Sequence, residues 1–69
     1  MTVHEKLFMY RVKKLKMSQR RVAQMLHVSQ ATLSNYESGK RQLTLDILVH
    51  IRKTYNMSPD EFKDLFDDI

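Results

Sequence analysis

Apolar residues recur along the chain at helical spacing, in short runs that serine and threonine residues separate. The first run predicts a helix from about His4 to Leu15. Phe8, Val12 and Leu15 lie on one stripe of this helix. The later inward faces are Val22, Ala23 and Leu26; Leu33 and Tyr36; and Leu45, Leu48, Ile51 and Tyr55. The apolar side of the last helix is Phe62, Leu65, Phe66 and Ile69. Because no run alternates apolar and polar residues as a half-buried strand does, the pattern predicts an all-α fold of five short helices.

Residues that suit helix ends mark the borders of these segments. The candidate N-caps are Ser18, Ser29, Thr44 and Ser58, whose hydroxyls can each accept a bond from a free backbone N–H. Pro59 suits the first position of the last helix, and Glu61 completes a capping box with Ser58. Gly39 suits the end of the third helix. These signals predict a tight helix-turn-helix over about residues 18–38.

Length and composition limit what the chain can be. Sixty-nine residues make one domain, which we expect to span residues 1–69, and no cysteine is present to form a disulfide. No apolar stretch approaches the ~20 residues that cross a bilayer, and the N-terminus lacks the pattern of a signal peptide. We therefore expect an unprocessed cytoplasmic protein without membrane contact.

Charge is unevenly distributed along the chain, whose net charge is +4. Residues 1–53 carry eleven Lys and Arg against three acids, a net of +8. Residues 54–69 carry one Lys against five acids, a net of −4. A basic body with an acidic end indicates a surface that faces a polyanion such as nucleic acid. The alternative is a solvated surface without a partner.

The third predicted helix has outward side chains that are small or carry amides, where a merely solvated helix would carry Glu, Lys and Arg. These residues are Gln30, Ala31, Thr32, Ser34 and Asn35. Asn and Gln can pair with adenine, Ala can touch the thymine methyl, and Ser can bond either kind of base edge. The basic residues flanking this helix are Arg20, Arg21, Lys40 and Arg41. The arrangement is typical of a helix-turn-helix whose second helix enters the major groove.

The segment Ser18–Lys40 resembles the Cro/phage-repressor class of helix-turn-helix proteins, also called the xenobiotic-response-element (XRE) class. It contains, without a gap, the Ser-Gln pair, the apolar-Ala pair, Leu-x-Val-Ser and Glu-x-Gly-Lys of that class. Leu45–Tyr55 and Met57–Phe62 resemble the fourth and fifth helices of the class. The resemblance implies a lambda-repressor-like fold and a sequence-specific transcriptional regulator of double-stranded DNA. Such proteins are usually repressors that bind palindromic operators as homodimers.

The resemblance also implies roles for individual positions. The base-reading positions are Gln30, Ala31, Ser34 and Asn35. The positions near the DNA backbone are Gln19, Thr32, Ser38, Lys40 and Arg41, and we add the flanking Arg20 and Arg21. In this class the glutamine at the position of Gln19 often supports the first residue of the recognition helix, which is Gln30 here.

The chain departs from the class pattern at four positions. They are His27 for a turn glycine, Leu43 near a usual proline, Val12 for a first-helix arginine and Arg52 for a usual alanine. The turn often needs a positive φ, which histidine tolerates better than most residues. In the class, the first-helix arginine pairs with the glutamate of helix three, and Arg11 would fit its position only with a one-residue insertion. We expect Glu37 to pair with Arg11 or Arg52, because a buried carboxylate without a partner is costly.

The last helix allows two interpretations of its apolar residues. Leu65, Phe66 and Ile69 could cover the core or form a dimer interface; we expect some of them in the interface and Phe62 in the core. We expect His50 to face solvent, because it shares no metal-ligand spacing with the other histidines.

No catalytic arrangement or phosphate-binding loop is readable in the sequence. We therefore expect no enzyme activity, no cofactor, no metal and no small-molecule ligand in this chain. The alternative function is a helical protein–protein module, such as an antitoxin or a subunit that docks on another regulator. Binding to heparin or random duplex DNA at low salt would separate the two.

Overall fold

The computed structural model describes residues 1–67. The helices are α1 (Val3–Met9), α2 (Gln19–Leu26), α3 (Gln30–Ser38), α4 (Leu45–Tyr55) and α5 (Pro59–Asp64), and a π-helical segment, Tyr10–Leu15, directly follows α1. No strand forms within this part of the chain, so the predicted all-α fold of five short helices is confirmed. None of the described helices has both the length and the apolar character needed to span a bilayer.

Hydroxyl side chains begin the helices where the sequence predicts. The capping residues are Ser18, Ser29, Thr44 and Ser58, each of which accepts a hydrogen bond from the backbone N–H three residues later. Thr2 does the same for α1 and forms a capping box with Glu5, which the sequence analysis missed although Thr-x-x-Glu is its usual signature. Each such cap contributes about 1 kcal/mol and fixes the start of its helix.

The core is built from the inward faces of the helices. Its buried apolar residues are Leu7, Val22, Ala23, Leu26, Leu33, Tyr36, Leu48, Ile51, Tyr55, Met57 and Leu65. The inward faces predicted for α2 and α3 are confirmed. On α4, Leu45 is 70% exposed and its predicted burial is wrong. Leu45 is the first residue of α4 and precedes Ile51 by six residues, which places the two side chains about 120° apart around the helix, so Leu45 lies outside the face centred on Ile51 and Tyr55.

The stripe predicted for the first helix is wrong at two of its three residues, since only Leu15 packs against the core. Phe8 and Val12 are each 42% exposed, whereas Leu7 and Arg11 are buried. Leu7 and Arg11 have the same four-residue spacing as Phe8 and Val12 and lie next to them on the helix. The sequence pattern alone therefore could not show which pair faces the core. Arg11 finds a buried carboxylate, described below, and its stripe therefore faces inward. The π-helical segment that follows holds more residues per turn than an α-helix, so the 3.6-residue pattern does not extend through it.

Near the end of the described chain, one residue expected in the dimer interface lies elsewhere. Leu65 is 3% exposed and lies in the core. Its expected place in a dimer interface is wrong, because its side chain is already covered by its own chain. Phe62 packs partly buried against the core, as expected, and its ring meets that of Phe66 edge-on at 5.4 Å. Phe66 remains 38% exposed, and Ile69 lies outside the described residues.

Contacts from α4 and α5 to the first segment close the fold. The rings of Tyr10 and Tyr55 stack with centroids 5.9 Å apart, and the Tyr10 hydroxyl donates to Glu61 at 3.2 Å. Burial, and then the charge of Glu61, raises the pKa of Tyr10. The pKa of Glu61 is lowered, chiefly because the backbone N–H of Ser58 donates to its carboxylate. Lys6 Nζ also donates to the carbonyl of Asp64 at 2.6 Å.

Candidate nucleic-acid interface

The turn between α2 and α3 is only three residues long, from His27 to Ser29. His27 takes the left-handed conformation with φ 60°, which the sequence analysis expects at this position. Its N–H donates to Gln24 O at 3.1 Å, and the N–H of Val28 donates to Ala23 O at 3.0 Å. These two bonds form the Schellman pattern of a helix end. The N–H groups of His27 and Val28 are thus both hydrogen-bonded without a glycine in the turn.

One face of α3 is buried and the other is open to a second molecule. Leu33, Tyr36 and Glu37 are buried. The residues expected to read bases are Gln30 and Ala31, which are exposed, and Ser34 and Asn35, which are half-buried. The polar segment is therefore at the surface, and it presents small and amide side chains rather than long charged ones.

A chain of hydrogen bonds leads from the core to the first residue of α3. Arg11 donates from Nε to Glu37 Oε2 at 2.7 Å and from Nη2 to Glu37 Oε1 at 3.1 Å. Gln19 Nε2 donates to the same Oε1 at 3.0 Å. Gln30 Nε2 donates to Gln19 Oε1 at 3.5 Å. The network holds Gln19 and Gln30, the first residues of α2 and α3, next to each other.

The ion pair of this network is almost completely shielded from water, with side-chain exposures of 9% for Arg11 and 5% for Glu37. Removing two charges from water is costly, and the two-point contact offsets that cost. Arg11 Nη1 gains a further bond to the carbonyl of Met17 at 2.8 Å. Burial, and then the negative charge of Glu37, raises the pKa of Tyr55. The Tyr55 hydroxyl therefore stays neutral beside the pair.

The second arginine considered for Glu37 lies elsewhere. The guanidinium carbon of Arg52 is 5.6 Å from the centroid of the Phe62 ring. A cation over an aromatic face is attracted by the ring quadrupole. Of the two candidates, it is therefore Arg11 that contacts Glu37, whereas Arg52 helps to hold α5 on α4.

Exposed cations stand at both ends of the helix-turn-helix. They are Arg20 and Arg21 in the first turn of α2, and Lys40 and Arg41 directly after α3. Two contacts hold Arg41 against α3. Its backbone N–H donates to Asn35 O at 3.1 Å, and its guanidinium lies 5.9 Å from the centroid of the Tyr36 ring. The positive charge thus lies beside the open face of α3.

The other residues expected at the DNA backbone lie on α3 itself. Thr32 is half-buried, and its hydroxyl accepts a bond from Ser29 Oγ at 2.9 Å. Ser38 is exposed at the last position of α3, where its hydroxyl donates to Asn35 O at 3.4 Å. Both hydroxyls are therefore placed beside the base-reading positions rather than among them.

A side chain of α1 packs on the end of α3, which the sequence analysis did not predict. Gly39 ends α3 with φ 82°, and a Cβ atom at this position would lie 2.6 Å from Cε1 of His4. The imidazole of His4 therefore contacts the backbone where α3 gives way to Lys40. A glycine after a helix predicts the end of the helix, but not the side chain that occupies the space beside it.

His50 faces solvent, as expected, and also connects α4 to α2. The side chain is exposed overall, but its Nε2 lies 2.9 Å from the carbonyl oxygen of Leu26. Leu26 is the last residue of α2, where carbonyls lack helical partners. Elsewhere in the described residues, no group of three or more histidine and carboxylate side chains could hold a metal ion.

Comparison with known proteins adds one finding to this geometry. The helix-turn-helix family model matches residues 7–62, which is more than half of the chain. The matched range contains all of α2, α3 and α4. No curated protein and no solved structure matches the chain.

Proposed function

Because the chain belongs to the Cro/repressor-type (XRE) helix-turn-helix family, we propose that it represses transcription by reading the major groove of duplex DNA with α3. The family is one of DNA-binding regulators and not of enzymes, so the chain is a DNA-binding helix-turn-helix domain. One observation supports the finer proposal. The exposed start of α3 carries Gln30 and Ala31, and a buried network ending at Gln19 supports it.

Base reading is assigned to the open face of α3. The N-terminal residues of a recognition helix contact base edges, and Gln30 and Ala31 occupy these positions here. Gln30 and Asn35 can each make two hydrogen bonds to adenine, and a good pair of such bonds discriminates by about 1–3 kcal/mol. Ala31 offers a methyl group to thymine, and Ser34 offers a hydroxyl to either kind of base edge. The contact between Gln19 and Gln30 restricts the Gln30 side chain before DNA arrives.

Backbone contacts supply most of the affinity in this proposal. The residues assigned to them are Gln19, Arg20, Arg21, Thr32, Ser38, Lys40 and Arg41. Each phosphate that a cation neutralises releases counterions, which lowers log K by about 0.9 for each unit of log salt. Binding to any duplex is therefore expected to weaken steeply as salt rises, whereas α3 adds the preference for one sequence.

The protein is proposed to act as a homodimer on a palindromic operator. The segment after α4 is acidic, and Asp60, Asp64 and Asp67 are exposed. This end is unsuited to phosphates and is available to a second copy, with Phe66 as its exposed aromatic residue. A dimer that covers an operator within a promoter excludes polymerase by occupancy alone, so the surface described above is sufficient for repression. A protein that acts on promoters is expected in the compartment that holds the chromosome.

Selection from a random duplex pool tests the proposal. The expected result is one enriched palindrome whose half-sites are about 34 Å apart, one turn of DNA. Inserted into a reporter promoter, this palindrome should reduce expression when the protein is present. If neither the pool nor heparin is bound at low salt, the chain acts as a protein–protein module and the proposal is wrong. If the palindrome is bound but expression rises, the DNA reading stands and the repressor role is wrong.

A further inference from the structure

An exposed aromatic side chain lies beside the face of α3 that the proposed function assigns to DNA. Phe8 is 42% exposed, and its ring lines an open groove together with Gln19, Ser34 and Ser38. The groove is therefore continuous with residues assigned to backbone and base contacts. Glu37 also lines the groove, but Arg11 neutralises its charge.

The Phe8 ring is held in place by the side chain of Arg11. The guanidinium carbon of Arg11 lies 5.4 Å from the ring centroid, and Arg11 is itself fixed by two bonds to Glu37. One turn earlier on the same face of α1, His4 packs against Gly39 at the end of α3. A ring that is already ordered loses little conformational entropy when a ligand covers it, so it is suited to contribute to binding.

The chemistry of the groove fits a sugar–phosphate backbone. Gln19, Ser34 and Ser38 offer amide and hydroxyl donors along one side, and phosphate oxygens accept such bonds. The Phe8 ring offers an apolar surface of the size of a deoxyribose. The exposed cations Lys40 and Arg41, which are two and three residues after Ser38, favour a negatively charged occupant.

We propose that Phe8 packs against a deoxyribose of the bound duplex, while the Ser38 hydroxyl leaves its long 3.4 Å bond to Asn35 O and donates to the adjacent phosphate. This inference rests on the proposed function and adds a DNA contact from α1, outside the helix-turn-helix. An apolar contact with a sugar carries no sequence information, so Phe8 raises the affinity for operator and random duplex alike.

Val12 supplies a matched control for this proposal. It lies four residues after Phe8, has the same exposure of 42%, and is not among the residues that line the groove. Phe8→Ala and Val12→Ala therefore each truncate an apolar side chain that is exposed to the same fraction of its own surface. Only the first is expected to change contact with DNA.

Hydroxyl radicals cleave DNA at exposed deoxyriboses, and footprinting with them reads the proposed contact directly. On the duplex selected from the random pool, Phe8→Ala should restore cleavage at one or two sugars in each half-site and weaken binding roughly tenfold. Val12→Ala should keep the wild-type footprint and affinity. Thermal unfolding of both variants, followed by circular dichroism, checks that they are folded at the temperature of the binding assay.

A second pair of variants adds charge rather than removing a ring, and serves if Phe8→Ala does not fold. Phe8→Lys would place an ammonium group next to the backbone, so the slope of log K against log salt should steepen by about 0.9 for each bound protomer. Val12→Lys adds the same net charge without that contact and should leave the slope nearly unchanged.

The outcomes separate this inference from the proposed function. If wild-type protein selects no DNA sequence, the proposed function fails and this inference fails with it. If the wild type binds its palindrome but Phe8→Ala gives an unchanged footprint and Phe8→Lys an unchanged slope, only the inference is overturned. It is also overturned if Phe8→Ala and Val12→Ala both dissociate a dimer of the free protein in sedimentation equilibrium, because the face would then belong to a second copy.

Discussion

Arg11 reaches Glu37 from a π-helical turn, and the two side chains meet in a two-point contact of 2.7 and 3.1 Å that is shielded from water. In the family pattern the arginine stands at the position of Val12, one residue later. A π-helical turn accommodates one residue more than an α-helical turn, and Tyr10–Leu15 takes up the difference. The contact joins the first segment to α3, so the position of the proposed recognition helix depends on it.

Removing the cation of this pair should be strongly destabilising. We expect Arg11→Met to lower the free energy of unfolding by about 3–5 kcal/mol, because the Glu37 carboxylate would stay buried without its partner. Urea unfolding followed by circular dichroism measures the change. The double variant Arg11→Met, Glu37→Leu should lose less than the single variant, and Arg20→Met, at an exposed position, is the control for loss of one arginine. Equal losses in the single and double variants would show that the stranded charge is not the cause.

Affinity and sequence preference should respond to different residues. Lys40→Ala is expected to weaken binding to operator and random duplex alike, and to reduce the salt slope by about one for each bound protomer. Asn35→Ala should relax the preference at one base position, at a cost of roughly 1–3 kcal/mol on the operator. Fluorescence anisotropy with both duplexes at several salt concentrations measures the two effects. Lys53→Ala removes the same charge from the exposed end of α4 and is the control. The assigned roles are wrong if Asn35→Ala and Lys40→Ala weaken both duplexes to the same extent.

The glycine that ends α3 should not tolerate a side chain. We expect Gly39→Ala to lower the free energy of unfolding by about 1–2 kcal/mol, because φ 82° is unfavourable for alanine. Its Cβ would also press on the His4 ring, so introducing His4→Ala together with it should recover part of the loss. Chemical unfolding of the two single variants and the double variant separates the cost of the backbone conformation from the cost of the contact with His4. A Gly39→Ala protein as stable as the wild type would mean that α3 ends differently in solution.

The capping box of α5 should make stability depend on pH. Bonds from Ser58 lower the pKa of Glu61 from its ordinary value of 4.5, so the folded protein favours the ionised form. The stabilisation is therefore complete above the unfolded pKa and is lost as pH falls through the folded one. Urea midpoints of wild type and Glu61→Gln should differ at neutral pH and converge in acid. A difference that grows as pH falls would contradict this assignment.

Much of the fold was readable from local signals, because these signals act within one turn of the chain. Ser18, Ser29, Thr44 and Ser58 cap helices whose starts depend only on the next three residues. His27 takes its left-handed conformation for equally local reasons. The inward faces of α2 and α3 follow a regular period, and the structure has them as the sequence predicts.

The features that the sequence did not predict depend on contacts between residues that are far apart in the chain. Phe8 and Leu7 occupy adjacent stripes of one helix, and only the buried ion pair decides which stripe turns inward. Leu65 and Phe66 are neighbours of similar polarity, yet the packing of α5 buries one and exposes the other. The contact of His4 with Gly39 joins residues 35 positions apart. None of these three features can be read from the local pattern of apolar and polar residues.

The histidine at the corner between α2 and α3 bears on how proteins of this kind are found. The corner keeps both of its backbone bonds, although His27 stands where a motif search would require glycine. A pattern written strictly from glycine-containing corners would pass over this chain and over others with asparagine or histidine at that point. Such a search should accept each residue type that tolerates a positive φ at this position, and not glycine alone.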